Sequence, residues 1–405
     1  MGASLQTDVL IVGGGLVGGT LACALADGGL TSIVIDRSSS QHQNTESFDG
    51  RATAVAQSAK RMLTVIGIWS NLKGKVSPIY DIRVTDGNSR HYLHFDHSNM
   101  TEDALGYMIE NRFLRRAILR ATLKREEIKY LAPVELTEVV RNSKGICAVL
   151  ADGREIHAAL IVGADGRSSY VRQHAGIPVT KWSYKQAGIV CTVAHDKPHN
   201  NVAHEHFFPA GPFAILPLVG DRSSIVWTEN LDDARMLIEL PAHEFLFELS
   251  QRFGDFLGPL EVVGPRSSYP LHLQFAKSCT APRLALVGDA IHGMHPVAGQ
   301  GFNMGLRDVA ALTEVLVDAY RLGLDIGTSN SLRQFERWRR FDNTLMLAAT
   351  DGLNRLFSND YLPFQLVRDL GLAVVNASST LKNVFMRQAM GLTGNLPRLM
   401  RGDDL

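Results

Sequence analysis

The chain has 405 residues, enough for about two domains and a substantial core. Its 41 basic and 41 acidic residues cancel, which argues against a nucleic-acid partner or a polybasic membrane arm. The four cysteines, Cys23, Cys147, Cys191 and Cys279, form no C-x-x-C pair, which excludes the redox dithiol of a disulfide reductase and points to inert thiols in a reducing compartment.

In chain order, the first predicted element is a strand at residues 8–12. It runs into Gly13-Gly14-Gly15-Leu16-Val17-Gly18, a G-x-G-x-x-G loop, and a helix follows through 21–25 until Gly28-Gly29 stops it. The first glycine makes the tight turn, Gly15 lets backbone reach a pyrophosphate, and Gly18 lets helix pack on strand. The next strand, 31–35, delivers Asp36 and Arg37. An acid about 20 residues beyond the fingerprint accepts a hydrogen bond from a ribose 2′-OH and repels a 2′-phosphate, so FAD or NAD is expected here rather than NADP. Strand character returns at 79–95. A second nucleotide-type element lies at 158–172, where a strand ends at Gly163-Ala-Asp165-Gly166-Arg167 and a serine-capped helix begins.

Residues 187–194, 213–218 and 224–228 alternate and are punctuated by Gly, Pro and Asp, which predicts a mostly antiparallel sheet, with a helix at 242–253. The apolar run 284–287 fits a buried strand with Asp289 just past its end. Gly299, Gly301 and Gly305 would then let backbone approach a flat ring. Asn303 is expected to cap the helix carrying Met304, Leu306, Val309, Ala310 and Leu312. Free N–H groups at that helix start favour an electron-rich group such as the N1/O2 edge of a reduced flavin. From about 341 onward the pattern is helical again, through Leu366, Val374, Leu381, Val384 and Phe385. Its apolar face either closes the molecule or, in part, admits a prenyl tail or rests on the membrane surface.

His204-Glu205-His206 would set both imidazoles on one face of a strand, but with no third ligand nearby no metal is expected. His292 and His295 flank the Asp289 loop, to fix it by hydrogen bonds or to touch flavin or substrate. No apolar run approaches the roughly 20 residues of a membrane-spanning helix. Residues 1–7 lack the basic start of a signal peptide, so the expectation is a cytoplasmic protein that can work at the inner face of the membrane.

Taken together, the three motifs resemble those of the FAD-dependent aromatic hydroxylases, the single-component flavoprotein monooxygenases. The blocks Asp49-Gly-Arg51-Ala-Thr-Ala, Ile66-Gly-Ile-Trp69, Glu110-Asn-Arg112-Phe-Leu, Phe207-Phe-Pro-Ala-Gly211-Pro-Phe-Ala-Ile-Leu-Pro217, Val226-Trp227-Thr and the stretch from His295 to Asp308 look like the ubiquinone-biosynthesis branch. The last block is the most specific, and the resemblance covers nearly the whole chain.

That resemblance implies an α/β fold with a Rossmann-type, para-hydroxybenzoate-hydroxylase-like FAD-binding domain, an inserted, mostly antiparallel β-sheet substrate domain and a C-terminal helical region. The FAD-binding domain would be discontinuous, at 1–75, 103–178 and 275–345. The substrate domain would take 76–102 and 179–274, and the helical region 346–405. It implies that Gly13, Gly15, Leu16, Val17 and Gly18 hold the pyrophosphate and that Asp36 and Arg37 lie at the ribose. Many relatives carry Glu at the position of Asp36. Arg51 and Arg112 would contact the phosphates and ribityl region, and Val134 would bind the adenine through backbone. Asp165 would serve the pyrophosphate and the approach of NAD(P)H, while Asp289 would take the ribityl hydroxyls. Pro296, Gly299, Gly301, Phe302 and Asn303 would line the isoalloxazine.

The activity it implies is hydroxylation of a prenylated phenol of ubiquinone biosynthesis, with NAD(P)H reducing FAD and O2 adding at flavin C4a. The hydroperoxide formed there would hydroxylate the ring. No second nucleotide fingerprint is present, which fits a transient NAD(P)H donor. The resemblance assigns no catalytic residue, and His295 is the candidate for a base. Other quinone-synthesis enzymes or a second copy are further candidate partners. The alternatives are another aromatic substrate, a halogenase or prenyl reductase, or a non-catalytic FAD-binding scaffold of a quinone-synthesis assembly. No Trp-x-Trp-x-Ile-Pro halogenase motif occurs near Trp182.

Overall fold

The computed structural model describes residues 4–40, 45, 47–87, 92–99, 103–293, 300–357, 375 and 378–405. The chain runs β1 (Ser4–Val12), α1 (Leu16–Asp27), β2 (Ser32–Ile35), β3 (Ala52–Ala56), α2 (Gln57–Val65), β4 (Val76–Ile79), β5 (Asp81–Asp86), β6 (Tyr92–Asp96), β7 (Gly106–Glu110), α3 (Asn111–Leu123), β8 (Ile128–Leu131), β9 (Leu136–Arg141), β10 (Ile146–Leu150), β11 (Glu155–Gly163) and α4 (Tyr170–His174). It continues through β12 (Val179–His195), β13 (Val202–Phe208), β14 (Gly211–Leu218), β15 (Arg222–Asn230), α5 (Leu231–Glu239), α6 (Ala242–Phe253), β16 (Leu260–Ala276), β17 (Thr280–Ala281), β18 (Leu284–Leu286), β19 (His292–Gly293), α7 (Gln300–Arg321), α8 (Ser329–Phe357), α9 (Ser379–Ala389) and α10 (Arg398–Arg401).

The first sheet has the order β17-β18-β11-β1-β2-β8, parallel from β18 to β8, with the β9–β10 hairpin attached to β11. Val9 to Val12 are buried in its centre, which is why that strand reads as a continuous apolar run rather than an alternating one. Register then decides where the motifs go. Val12 pairs with Gly163 and Gly163 with Leu286, so three strands stop side by side and deliver Gly13, Asp165 and Asp289 to one edge. Ligands of open α/β sheets bind at that carboxyl edge. Helix α1 is buried from Gly18 to Ala26, pressed between the sheet and α7. At its end a Cβ on Gly28 would stand 2.2 Å from Val317.

The second sheet has the order β19-β16-β12-β15-β14-β13-β5-β6 and is antiparallel except between β13 and β5, as the strand pattern predicts. One face packs on α5 and α6 through Phe213, Trp227 and Phe245. The other face looks to β3, β7 and the start of α7: Ala203 and Leu218 meet Ala52, Ala54 and Met108, and Leu273 meets Met304. A small sheet, β3-β7-β4, joins the two large ones.

Helix α8 begins at Ser329, a dozen residues before the predicted helical pattern at 341. Leu332 and Phe335 are core residues, but Arg339 occupies the next core position, so a buried charge interrupts the apolar spacing. Residues 358–374, which contain Leu366 and Val374, lie outside the described residues.

Candidate active site

The fingerprint glycines divide by what surrounds them. Gly13 leaves β1 at φ +101°, where a Cβ would lie 2.4 Å from the Ala164 carbonyl, and a Cβ on Gly18 would lie 1.8 Å from the Gly13 carbonyl. Those two let the chain cross itself. Gly15, the N-cap of α1, has nothing within 4 Å of its Cβ position and no side-chain cap. The start of α1 thus has no side-chain cap and leaves room beside Gly15, as an anion site at a helix N-terminus requires.

Asp36 ends β2 with Oδ2 accepting from Gly14 N at 2.7 Å and Oδ1 accepting from Ser38 N at 2.7 Å, so the carboxylate also braces the loop beside the expected ribose. Arg37 is exposed. The Val134 amide donates to the Asp36 carbonyl at 2.8 Å, so any backbone contact from Val134 to adenine must come from its carbonyl. Arg51 and Arg112 are brought together by β3–β7 pairing, in which Ala52 faces Glu110. Arg51 is held by Asp49 at 2.9 Å, and Arg112 donates from Nε to Glu110 Oε2 at 2.8 Å. Glu110, almost wholly buried, also accepts from Arg222 at 2.7 Å and so ties β7 to β15.

The other two motifs touch directly. Ser169 caps α4, as its sequence suggests, by accepting from Arg172 N at 3.0 Å. Asp165 Oδ2 accepts from Val171 N at 3.1 Å, whereas its Oδ1 is buried with no hydrogen-bond partner among the described residues. Arg167 Nε donates to Asp289 Oδ2 at 3.2 Å. Buried Arg172 clamps the pair by donating to the carbonyls of Ala290 and Arg167, each at 2.8 Å. Asp289 itself stays nearly half-exposed, at 46% of its side chain.

Beneath Asp289 lies a network that the sequence alone did not reveal. Asp308, fully buried, accepts from Gly288 N at 3.0 Å, from His292 Nε2 at 2.7 Å and from Arg339 Nε at 2.8 Å. Burial by itself would raise this carboxyl, but His292 and Arg339 hold it below the ordinary carboxylate range. His292 thus fixes the Asp289 turn by hydrogen bonding, one of the two roles expected of it.

Two expectations for the α7 start are corrected. Asn303 is not its N-cap, because the helix already runs from Gln300. Its amide instead reaches across to β3, accepting from Ala56 N at 2.8 Å and donating to Ala54 O at 2.9 Å. Gly305 does not face a ring: its Cβ position is 2.9 Å from Val17 and 3.4 Å from Gly288, so it is a packing glycine, and Val17 fills that contact with its side chain. Leu16 and Phe302 likewise pack on the central core. Gly301 has nothing within 4 Å of its Cβ position. His295, Pro296 and Gly299 lie outside the described residues.

His204 and His206 do share a face of β13, with rings 5.9 Å apart, but it is the outer face, against Phe213 and Phe256. Cys147, Glu155 and His157 place ligand atoms within 4.8 Å of one another at the opposite end of β11 from Asp165, on an accessible edge. Burial pushes Cys191 up to about 12 and raises Cys23 and Cys279, as expected of inert thiols.

The residues present fit FAD. Two glycine positions at helix starts open onto empty space, a buried Asp165 oxygen lacks a partner among the described residues, and the half-exposed Asp289 carboxylate lies on the same sheet edge as Asp165. Comparison with known proteins agrees. A family model for the FAD binding domain matches residues 6–326. The chain is 53% identical over 403 residues to the ubiquinone hydroxylase UbiL of Rhodospirillum rubrum, covering 99% of this chain and 94% of that one. It is 32% identical over 388 residues to the 3-demethoxyubiquinol 3-hydroxylase of Escherichia coli, covering 95% and 99%. Among solved structures, the p-nitrophenol 4-monooxygenase PnpA of Pseudomonas putida superposes with a TM-score of 0.80 over 98% of this chain and 100% of that one, at 19% identity, which speaks for the fold alone. Fold and site thus define an FAD-dependent aromatic hydroxylase. More narrowly, the chain belongs to the family of FAD-dependent hydroxylases of ubiquinone biosynthesis.

Proposed function

We propose that the protein hydroxylates the aromatic ring of a prenylated phenol on the way to ubiquinone, using NAD(P)H and O2. The observation that carries this reading is the convergence of Gly15, Asp165 and Asp289 on one sheet edge, with the inner face of the antiparallel sheet laid against the α7 start beside it. Bound FAD would supply the two-electron chemistry and the activation of oxygen. The chain's own part is to bind and orient. Gly13, Gly15, Leu16, Val17 and Gly18, with the α1 N-terminus, would hold the pyrophosphate. Asp36, Arg37 and the Val134 carbonyl would serve the adenosine. Arg51 and Arg112 would lie at the phosphates. Asp165 would serve the pyrophosphate and the approach of NAD(P)H, Asp289 would take the ribityl hydroxyls, and the amides of Gln300 to Asn303 would stabilise negative charge at the ring edge.

On this reading 1–75, 103–178 and 275–345 form the FAD-binding domain, while 76–102 and 179–274 wall the substrate and exclude water from the reaction. A tail-bearing phenol is itself a membrane lipid. No helix among the described residues is long and apolar enough to cross a membrane. On α9, however, Leu381, Val384 and Phe385 are exposed together at helical spacing, beside Lys382, which supports peripheral contact with the bilayer by the 346–405 region.

The decisive experiment reduces the flavin-loaded protein anaerobically with NADPH, with and without a prenylphenol, then admits air and analyses the product by mass. A gain of one oxygen on the ring with little free peroxide is expected. Flavin that is retained but never turns over on any phenol would favour a scaffold instead.

A further inference from the structure

We propose that Glu205 is the base that accepts the phenolic proton of the substrate, which rests on the phenol reading above. Strand alternation sets Glu205 on the inner face of β13, opposite to His204 and His206. Two residues before it, Ala203 packs against Ala52, Ala54, Ile79 and Met108, so this face looks at β3 and β7. Asn303, at the start of α7, is tied to the same β3. Glu205 pairs with Ala214 on one side and Val84 on the other, two side chains that offer it no hydrogen bond. Among the described residues it makes no hydrogen bond and no ion pair, and Thr228, on the same face of β15, likewise has a buried hydroxyl without a partner.

Burial alone pushes the Glu205 carboxyl up to about 7, yet the residue keeps accessible surface. A carboxyl that lies on the inner face without a partner, yet keeps accessible surface, is open to a ligand that supplies the missing hydrogen bond. The other charged groups around this face do not account for the shift. Asp86 lies at the end of β5, Arg222 and Glu110 satisfy each other at 2.7 Å, and Lys60 pairs with Asp103 at 3.8 Å. Helix α9 contributes Met386 to that side of the sheet.

In the step proposed, the phenolic O–H bond breaks and its proton goes to a Glu205 oxygen. The electron pair released enters the ring as the ring carbon bonds to the oxygen that O2 and NAD(P)H provide. The dienone so formed regains aromaticity by losing the proton of the hydroxylated carbon to solvent and taking the borrowed proton back at its own oxygen. Glu205 ends as it began. A carboxyl titrating near neutrality suits such a transfer better than an ordinary one, because its conjugate acid is closer to the phenol in strength.

The test titrates flavin-loaded wild type and Glu205→Gln with a geranylphenol and with its methyl ether, from pH 5.5 to 8.5, following the flavin absorbance. In wild type the phenol should bind about tenfold tighter as pH rises through about 7, because an ionised carboxylate is the stronger acceptor. The ether should show no such rise. Glu205→Gln should bind phenol and ether alike at every pH, with wild-type flavin content and turnover down by roughly 10² to 10⁴. Glu205→Asp should keep a pH-dependent limb, which separates lost basicity from a disturbed fold. A Glu205→Gln protein that retains the pH dependence, or its turnover, overturns the assignment of Glu205 alone. A wild-type protein that binds neither ligand overturns the phenol reading along with it.

Discussion

His292 Nε2 donates to Asp308 Oδ2 at 2.7 Å, with both side chains completely buried, and Asp308 Oδ1 accepts from Arg339 Nε at 2.8 Å. One carboxylate therefore pins the Gly288 turn, β19, α7 and α8 to each other, and Asp289 projects from the pinned turn. Asp308→Ala would leave Gly288 N, His292 Nε2 and Arg339 Nε buried without their acceptor while Asp342 still pairs with Arg339 at 2.8 Å, a loss of about 1–3 kcal/mol or more. Urea denaturation should show that drop. Because the folded carboxyl lies below its ordinary range, its contribution is complete above the unfolded value of about 4 and fades as pH falls below it. Wild type should therefore lose stability on acidification below pH 4 more steeply than Asp308→Ala.

Asp289 differs from Asp308 in exposure, and its substitution should differ accordingly. Its side chain is nearly half-exposed and is engaged by Arg167 alone among the described residues. Asp289→Ala should leave the stability of the flavin-free protein within about 0.5 kcal/mol, as for other surface changes. Hydrogen bonds to a charged group contribute about 1.5–3 kcal/mol, so the Kd for FAD should rise roughly tenfold to a hundredfold. Flavin occupancy after gel filtration is the readout, and unchanged occupancy would remove Asp289 from the cradle.

What was legible in the sequence was local. The β1 run and the glycines after it form a turn that only neighbouring residues decide, and Ser169 caps the helix directly behind it. What was not legible depends on segments that meet only in the fold. Asn303 precedes an apolar run and so resembles a cap, but its amide is taken by β3, almost 250 residues upstream. Gly305 resembles a ring-facing glycine until Val17 is seen to fill its space. Arg339 gives no local sign of its tie to Asp308, and its place in the core hides the first turns of α8. Glu205 could have been noticed, since alternation puts it on the face opposite two histidines, but only the second sheet's packing reveals that this face looks inward.

His204 should set a pH limb of stability distinct from that of Asp308. Burial on the outer face of β13, helped by His206 and Arg83, lowers its pKa from 6.5 to about 4. A lowered value means that the unfolded chain binds the proton first. The stabilisation is therefore complete above about 6.5 and is lost as pH falls towards 4, by at most about 3 kcal/mol. His204→Phe keeps a ring against Phe256 and cannot titrate. Thermal melts at pH 7 and pH 5 should show a smaller drop in Tm for the variant than for wild type.

Membrane contact through α9 can be tested without touching the flavin cradle. Leu381→Asp with Phe385→Asp places two charges on the exposed apolar strip. Co-sedimentation with anionic vesicles should fall several-fold while flavin occupancy holds, since burial of apolar area drives such binding. Equal sedimentation of both proteins would return that helix face to an ordinary surface.

The fingerprint glycines allow binding to be separated from folding by one added methyl group. Gly18→Ala would place Cβ 1.8 Å from the Gly13 carbonyl, a clash with backbone that no side-chain movement relieves. It should destabilise the protein with or without flavin, by 1–3 kcal/mol or more on the scale of about 1–3 for overpacking. Gly15→Ala meets nothing in the chain, and the φ of −69° at Gly15 suits alanine, so the flavin-free protein should melt as wild type does. The same methyl group would stand where the pyrophosphate must approach the backbone, so FAD affinity should fall at least tenfold. Melts of the flavin-free proteins and FAD titrations give the two readouts. If Gly15→Ala retained FAD normally, the open space at the α1 start would not be the pyrophosphate site.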